Sequence, residues 1–370
     1  MPRVLHLYKS YYSRDFGGVG QVIYQIAQAS RNQGFEHDVL VLHEGDQLEV
    51  VEYAEARVHY VPQDLNLLST PMGWRLLGQF RRLSKQADLI HYHYPYPVAD
   101  LLHLLFRPSC PSLVTYHSDI VKQKTALKLY APLMRRFLGS VDRIVATSDN
   151  YCRTSPVLAR YQDKLDVVPL GVEEAGYPQP GAERLSRWRE RVGEGFFFFI
   201  GALRYYKGLE FLIEAARKTG LPVVIAGSGG IEQELKKKAE GLANVHWVGR
   251  VDEDDKAALF QLSGVLAFPS HLRSEAFGIS LIEACMYGKP MISAEIGTGT
   301  TFVNQADETG LVVPPADGDA LASAMQTLAE NSQLRERLGQ NARLRFEELF
   351  TARRMADSYQ RLYQALLSGE

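Results

Sequence analysis

Phe196-Phe197-Phe198-Phe199-Ile200-Gly201-Ala202-Leu203-Arg204-Tyr205-Tyr206-Lys207-Gly208 reads as a strand, a loop and the entry to a helix. The strand part is apolar throughout, as a parallel strand covered on both faces requires. The chain's amino end opens the same way. Val4–Tyr8 is followed by a loop holding Gly17-Gly18-Val19-Gly20 and then by a helix. Two strand–loop–helix openings in one chain imply two similar halves.

Short apolar runs alternate with helix-length amphipathic stretches along the whole sequence. Strands are expected at Val4–Tyr8, His37–Leu42, Leu89–Tyr92, Ser112–Tyr116, Arg143–Thr147 and Leu165–Val168 in the first half. The second half offers Phe196–Ile200, Pro222–Ala226, Val245–Val248, Gly264–Phe268, Pro290–Ser293 and Gly310–Val313. Helices are expected at Gly20–Arg31, Gly208–Lys218, Ile231–Leu242, Asp254–Leu262 and Ser280–Met286. This alternation with short loops is the pattern of doubly wound, Rossmann-like α/β domains. The Gly- and Pro-rich stretch from Pro169 to Pro180 has no period and reads as the boundary. The first domain is drawn as 1–172 and the second as 173–351. The last helix, about Ala352–Leu367, carries a stripe of Met355, Tyr359, Leu362 and Leu366. A return of residues 352–370 onto the first domain is one arrangement open to it.

Composition removes several function classes. The 370 residues are 46% hydrophobic and 23% charged, ordinary globular usage that argues against disorder and coiled coil. Lys+Arg 41 against Asp+Glu 43 gives a net charge of -2, without the electrostatic footprint of bulk nucleic-acid binding. Cys110, Cys152 and Cys285 lie far apart with no CxxC spacing, so neither a disulfide scaffold nor a zinc site is expected. The apolar runs fall far short of the roughly 20 residues a spanning helix needs. No secretory signal pattern opens the chain, and a reducing cytoplasm is the expected home.

The sharpest chemical signal is Glu275-Ala276-Phe277-Gly278-Ile279-Ser280-Leu281-Ile282-Glu283, after the strand ending at Phe268. Gly278 permits close backbone approach. The amides of Gly278, Ile279 and Ser280 would open a helix, where unpaired N–H groups and the dipole attract a phosphate. Glu283, one turn inside, suits a ribose diol, because a carboxylate accepts two hydroxyl hydrogen bonds at once. Glu275 could do the same for sugar hydroxyls. Both glutamates are equally compatible with a surface loop and a dipole-friendly first turn. Arg204 can fork onto phosphate oxygens and Lys207 supplies a compact charge. Cations at a helix start oppose the dipole, which favours a functional role for them over a solvated one.

Glu275, seven residues and Glu283 resemble the signature of the retaining GT-B glycosyltransferases of family 4. Phe199-Ile200-Gly201-Ala202-Leu203-Arg204 with Lys207-Gly208 resembles that family's diphosphate loop. Ala226-Gly227-Ser228-Gly229, Phe268-Pro269-Ser270 and Gly310-Leu311-Val312-Val313-Pro314-Pro315 match in order, as do Phe16-Gly17-Gly18-Val19 and Thr115-Tyr116-His117-Ser118-Asp119. The resemblance implies two Rossmann-like domains facing a cleft. The first would bind the acceptor and the second a nucleotide sugar. It assigns catalytic roles to His117, Glu275, Arg204 and Lys207. It assigns donor binding to Gly17, Gly18, Arg204, Lys207, Phe277, Gly278, Ile279 and Glu283. No cofactor or metal is implied, since protein cations meet the diphosphate. Taken alone, the Gly17-Gly18 run is also a plain turn, and Ser118 or Asp119 next to His117 could cap a helix.

Other motifs have blander readings. His91-Tyr92-His93-Tyr94-Pro95-Tyr96-Pro97 contains His-x-His, but metal binding would need partners elsewhere, and acceptor contacts or packing are favoured. Asp252-Glu253-Asp254 and Asp317-Gly318-Asp319 each precede a helix and read as caps. Basic residues interleave with apolar ones at Lys122–Arg136, where Pro132 should break the helix or start a second, and again at Trp74–Lys85. Such faces fit an anionic membrane surface or are ordinary surface helices.

Retention, implied by the resemblance, points to front-face attack, because no carboxylate stands out as a nucleophile. The opening Leu5-His6-Leu7-Tyr8-Lys9-Ser10-Tyr11-Tyr12 and the Leu203–Gly208 loop resemble bacterial mannosyl- and rhamnosyltransferases of O-antigen assembly. That subgroup implies a GDP-mannose or GDP-rhamnose donor and a polyprenyl diphosphate-linked saccharide acceptor, with peripheral contact at the inner face of the plasma membrane. Rival readings are a UDP-sugar donor, a non-catalytic sugar-nucleotide binder and an NAD-dependent dehydrogenase. The last needs a Gly-x-Gly-x-x-Gly turn that Gly227-Ser228-Gly229-Gly230 does not provide.

Overall fold

The computed structural model describes residues 1–12, 14, 18–67, 70–120 and 124–369. The chain divides into two compact units, one of residues 1–171 with 352–370 and the other of residues 172–351.

The first unit is built on β1 (Arg3–Leu7), β2 (Glu36–His43), β3 (Glu49–Glu52), β4 (Arg57–Pro62), β5 (Leu65–Leu67), β6 (Thr70–Met72), β7 (Leu89–Tyr94), β8 (Ser112–Tyr116), β9 (Arg143–Ala146) and β10 (Leu165–Val167). Eight of these form one sheet in the order β10-β9-β8-β7-β1-β2-β4-β3, with β5 and β6 as a separate hairpin. Every pairing in the large sheet is parallel except β3 with β4, where Glu49 opposes Tyr60. The helix Gly18–Ser30 packs against the last helix, Ala352–Ser368, and Gln33 donates to Asp357 at 2.6 Å. Tyr359 and Tyr363 of that last helix are fully buried.

The second unit carries β11 (Phe197–Ile200), β12 (Val223–Ala226), β13 (Val245–Gly249), β14 (Val265–Phe268), β15 (Met291–Ala294) and β16 (Gly310–Val313), all parallel, in the order β13-β12-β11-β14-β15-β16. Phe196, Phe197, Phe198 and Phe199 are all buried, on both faces of the sheet. Each contributes about 1.5–3 kcal/mol relative to exposure, so this strand cannot be an edge. One face packs on Leu212, Ile213, Met325 and Leu328 of the flanking helices.

In both sheets the strand order reverses direction beside the first strand, between β1 and β7 and between β11 and β14. Open α/β sheets bind ligands at the carboxyl ends of strands at such a reversal.

Two details differ from the sequence reading. The first helix starts at Gly18, so Gly18-Val19-Gly20 is helical rather than loop. The helix Lys124–Ser140 runs through Pro132 instead of breaking there. Proline removes one hydrogen bond, and Lys128, whose carbonyl loses it, is exposed to water. Ahead of that helix, the Asp119 carboxylate accepts the Tyr116 and Ser155 hydroxyls, each at 2.9 Å.

Candidate active site

The loops after β11 and β14 meet at the reversal in the second sheet. Gly208 makes this possible. It sits at φ +70°, and a side chain there would drive a Cβ to 2.0 Å from the Pro269 carbonyl oxygen. The approach brings Lys207 onto Glu275 as an ion pair of two largely buried side chains. Ser270 donates a second hydrogen bond to Glu275 Oε2, at 3.1 Å. The Lys207 ammonium also lies 5.0 Å from the Phe268 ring centroid and 5.6 Å from that of Tyr206. Arg204 stands just before the short turn Tyr205–Lys207 in the same loop and is exposed.

Gly278 stands at the amino end of the helix Ile279–Met286, at φ +92°, with the Phe268 ring 2.8 Å from where a Cβ would be. Ile279 and Ser280 are half-buried behind it. The ring of Phe277 is buried, with Phe302 at 6.3 Å and Phe350 at 6.2 Å. It is a core residue, and only its backbone is left to serve a ligand.

Glu283 is buried and engaged. Its Oε1 pairs with the Lys256 ammonium at 2.7 Å and accepts the Tyr177 hydroxyl at 3.0 Å. Burial opposes the charge on Lys256, but Glu283 and Glu253 outweigh it and hold its pKa above the ordinary lysine value. Burial and the Glu283 carboxylate push the Tyr177 hydroxyl well above its usual range, which keeps it a donor. Both contacts use Oε1, so Oε2 is the oxygen that suits a ligand hydroxyl. The Asp strings are caps: Asp252 accepts from the Asp255 amide at 2.7 Å, and Asp317 from the Ala320 amide at 2.9 Å.

In the first unit, His117 follows β8 and is buried, with its Nε2 3.0 Å from His93 Nδ1. The His-x-His of β7 has its partners on other strands. His6 of β1 lies 3.1 Å from His93, while His91 bonds Tyr363 at 2.8 Å and Thr115 at 2.7 Å. His6, His91 and His93 present ligand atoms within 4.8 Å of one another, as a metal trio would, but both ring nitrogens of each have a hydrogen-bond partner. Gly18 begins its helix, and Gly17 lies outside the described residues. A cavity of about 820 Å³ opens at the carboxyl ends of β1, β2 and β4, lined by Lys9, Tyr11, Arg14, His43, Glu49 and Tyr60. Arg14 stacks 4.0 Å over Tyr60 and pairs with Glu49 at 2.5 Å. A second cavity, about 510 Å³, lies at the opposite end of the sheet beside Ser112 and Asp142, away from this chemistry.

The basic helices are only partly amphipathic toward solvent. Leu76, Phe80, Met134 and Phe137 are buried, so they hold their helices to the unit. Trp74 and Leu129 are more than 80% exposed, and Leu101 and Leu105 of the neighbouring helix Pro97–Phe106 are more than half exposed. Lys122 lies outside the described residues.

Two family patterns cover most of the sequence. The one described as Glycosyltransferase Family 4 matches residues 16–175, and the one described as Glycosyl transferases group 1 matches residues 183–345. The chain is 51% identical to a D-rhamnosyltransferase, WbpZ, of Pseudomonas aeruginosa over 95% of this chain and 92% of the relative. It is 48% identical to O-antigen chain mannosyltransferase C of Escherichia coli over 100% of both. The chain belongs to glycosyltransferase family 4. A sucrose-phosphate synthase structure from Thermosynechococcus elongatus superposes with a TM-score of 0.83 at 21% identity, covering 100% of both chains, and shares the GT-B fold.

Within this family 4 transferase, the loops bring Lys207 onto Glu275 beside Phe268 and the Gly278 turn, while Arg204 and Glu283 belong to the same unit, Glu283 with its own partners Lys256 and Tyr177. Ser270, Lys256 and Tyr177 escaped the sequence reading. Lys256 faces Glu283 across 27 positions of sequence, and Tyr177 reaches it from the boundary stretch over 106. No local pattern links such distant residues.

Proposed function

We propose that this transferase moves a hexosyl residue, mannose or a rhamnose-like sugar, from a GDP-linked donor to a polyprenyl diphosphate-linked saccharide during bacterial O-antigen synthesis, with retention of configuration. The observation that carries this reading is the Lys207–Glu275 pair at the sheet's reversal, with the helix start at Gly278 after the same loop. Two relatives near half identity are named for these two sugars, and D-rhamnose is 6-deoxymannose.

The chemistry follows from charge. As the sugar–phosphate bond breaks, the departing diphosphate gains negative charge. Lys207, Arg204 and the helix amides would oppose it in a site already ordered before reaction. Glu275 is tied by Lys207 and Ser270, which suits orienting sugar hydroxyls rather than attacking carbon. A leaving phosphate oxygen then takes the proton of the acceptor hydroxyl, and the new bond forms on the face from which the old one departs. Glu283, fixed by Lys256 and Tyr177, would hold the ribose diol. The cavity beside Tyr11, Arg14 and Tyr60 offers aromatic faces and charges of both signs to an acceptor saccharide. Protein cations take the part a divalent ion would play, so no metal is needed. The exposed Leu101, Leu105 and Leu129 near Arg135 and Arg136 would rest against an anionic leaflet, keeping the enzyme at the inner face of the membrane.

The test is a transfer assay with GDP-mannose, GDP-D-rhamnose and UDP-glucose against lipid-linked acceptor in excess EDTA. Release of GDP with a lengthened lipid-linked product is expected. Turnover of UDP-glucose alone would overturn the donor assignment, and nucleotide binding without turnover would overturn catalysis. Loss of activity in EDTA, restored by magnesium or manganese, would overturn metal independence.

A further inference from the structure

Four buried imidazoles in the first unit form one hydrogen-bonded line. Ser30 Oγ lies 2.8 Å from His37 Nε2, and His37 Nδ1 lies 3.0 Å from His6 Nε2. His6 Nδ1 lies 3.1 Å from His93 Nε2, and His93 Nδ1 lies 3.0 Å from His117 Nε2. The line crosses the sheet from β2 through β1 and β7 to the residue just beyond β8. Every member is less than a tenth exposed.

A neutral imidazole has one N–H and one lone pair. Burial keeps these rings neutral, lowering His37 to about 4 and His117 to about 3, with His6 and His93 also well below their usual value. In a line of neutral rings each donor must meet the next lone pair, so one end sets the direction of all. Ser30 is that end. Its hydroxyl is hydrogen-bonded to the Ile26 carbonyl oxygen, which has no proton to give and can only accept. The Ser30 proton is therefore spent on Ile26, and Ser30 Oγ can only accept from His37 Nε2–H. It follows that His6, His93 and His117 each donate from Nε2 and accept at Nδ1. His91 stands aside, bonded to Tyr363 and Thr115.

We propose that Ser30, His37, His6 and His93 are positioning residues that hold His117 in its Nε2–H tautomer and leave its Nδ1 as the acceptor for a sugar hydroxyl. The hydroxyl's role rests on the function proposed above; the tautomer does not. In the opposite polarity the same atom would be an N–H, unable to accept from a hydroxyl.

Ring-nitrogen NMR of the full chain carrying 15N-histidine reads the tautomer directly, with His117 assigned by the signals lost in His117→Gln. The expected spectrum near neutral pH shows His117 neutral and protonated at Nε2. Ser30→Ala, which removes the anchor, should add an Nδ1–H population and lower kcat ~10-fold, as loss of an orienting outer partner does. KM for the nucleotide sugar should stay unchanged, and Ser30→Thr should restore both readouts. A wild-type His117 protonated at Nδ1, or a Ser30→Ala spectrum identical to wild type, would overturn the proposal. The expected tautomer without any transfer activity would overturn only the functional reading. Transfer with the opposite tautomer would overturn only the histidine line.

Discussion

Lys207 is held on three sides, by the Glu275 carboxylate and by the rings of Phe268 and Tyr206. A cation so fixed meets a phosphate without first being ordered, which is how electrostatic groups lower a barrier most effectively. Glu275→Gln keeps the shape but removes the charge that holds Lys207. A loss of ~10²-fold or more in kcat is expected in steady-state transfer, together with a lower thermal unfolding midpoint, because the largely buried Lys207 ammonium loses its counter-charge. Unchanged kcat would place Glu275 outside the site. Glu283 is buried with its partner in the same way. Lys256→Met strands a carboxylate that is 5% exposed, and a destabilisation of about 3–5 kcal/mol is expected in urea unfolding. Tyr177→Phe removes one hydrogen bond to a charge and should cost about 1.5–3 kcal/mol in the same measurement.

The strands show which parts of the fold local sequence can express. β1, β7, β8, β11, β14 and β15 are legible because each is buried on both faces and so apolar or aromatic almost throughout. β3 escapes notice because Glu49 and Glu52 bracket only two apolar residues on an antiparallel edge, and β5 and β6 are three-residue strands. The helix Ala182–Val192 hides in the same way, with Trp188 and Val192 buried among charges. At the candidate site, the carboxylates and cations were legible because loop glycines and an apolar helix surround them. Their partners were not, since Lys256 and Tyr177 are joined to Glu283 only by the fold. The histidines are an intermediate case. The His-x-His of β7 was visible, while its partners His6 and His37 sit in strands that read as plain core. Together these buried rings make stability depend on pH. His6, His37, His91, His93 and His117 all have lowered folded-state values, chiefly through burial. As pH falls below about 6.5, the unfolded chain takes up protons that the folded one refuses, so the stability present above that pH is lost on the way toward 4. Each ring adds up to about 1.4 kcal/mol per pH unit to that slope. Urea unfolding across this window should show a steep decline. A flat profile would mean the rings are hydrated.

At the scale of the molecule, each of two Rossmann-like units has a reversal in its own sheet, and the Lys207–Glu275 pair stands at that of the second. This division leaves one surface of the first unit for other duties, where the helices Trp74–Ser84, Pro97–Phe106 and Lys124–Ser140 lie side by side. The chain should co-sediment with vesicles containing phosphatidylglycerol and detach as salt rises. Leu101→Asp with Leu129→Asp should abolish binding while leaving soluble-donor hydrolysis intact, and equal binding to neutral vesicles would refute the electrostatic part. Arg204 and Lys207, the proposed diphosphate grip, both belong to the second unit, and the proposal can be weighed directly by calorimetric titration of GDP. Wild-type protein should bind GDP, and the Arg204→Ala/Lys207→Ala variant, with its fold checked by thermal unfolding, should bind at least about 100-fold more weakly, the worth of two charged contacts. Equal affinity in the folded variant would contradict the assignment of these cations to the diphosphate.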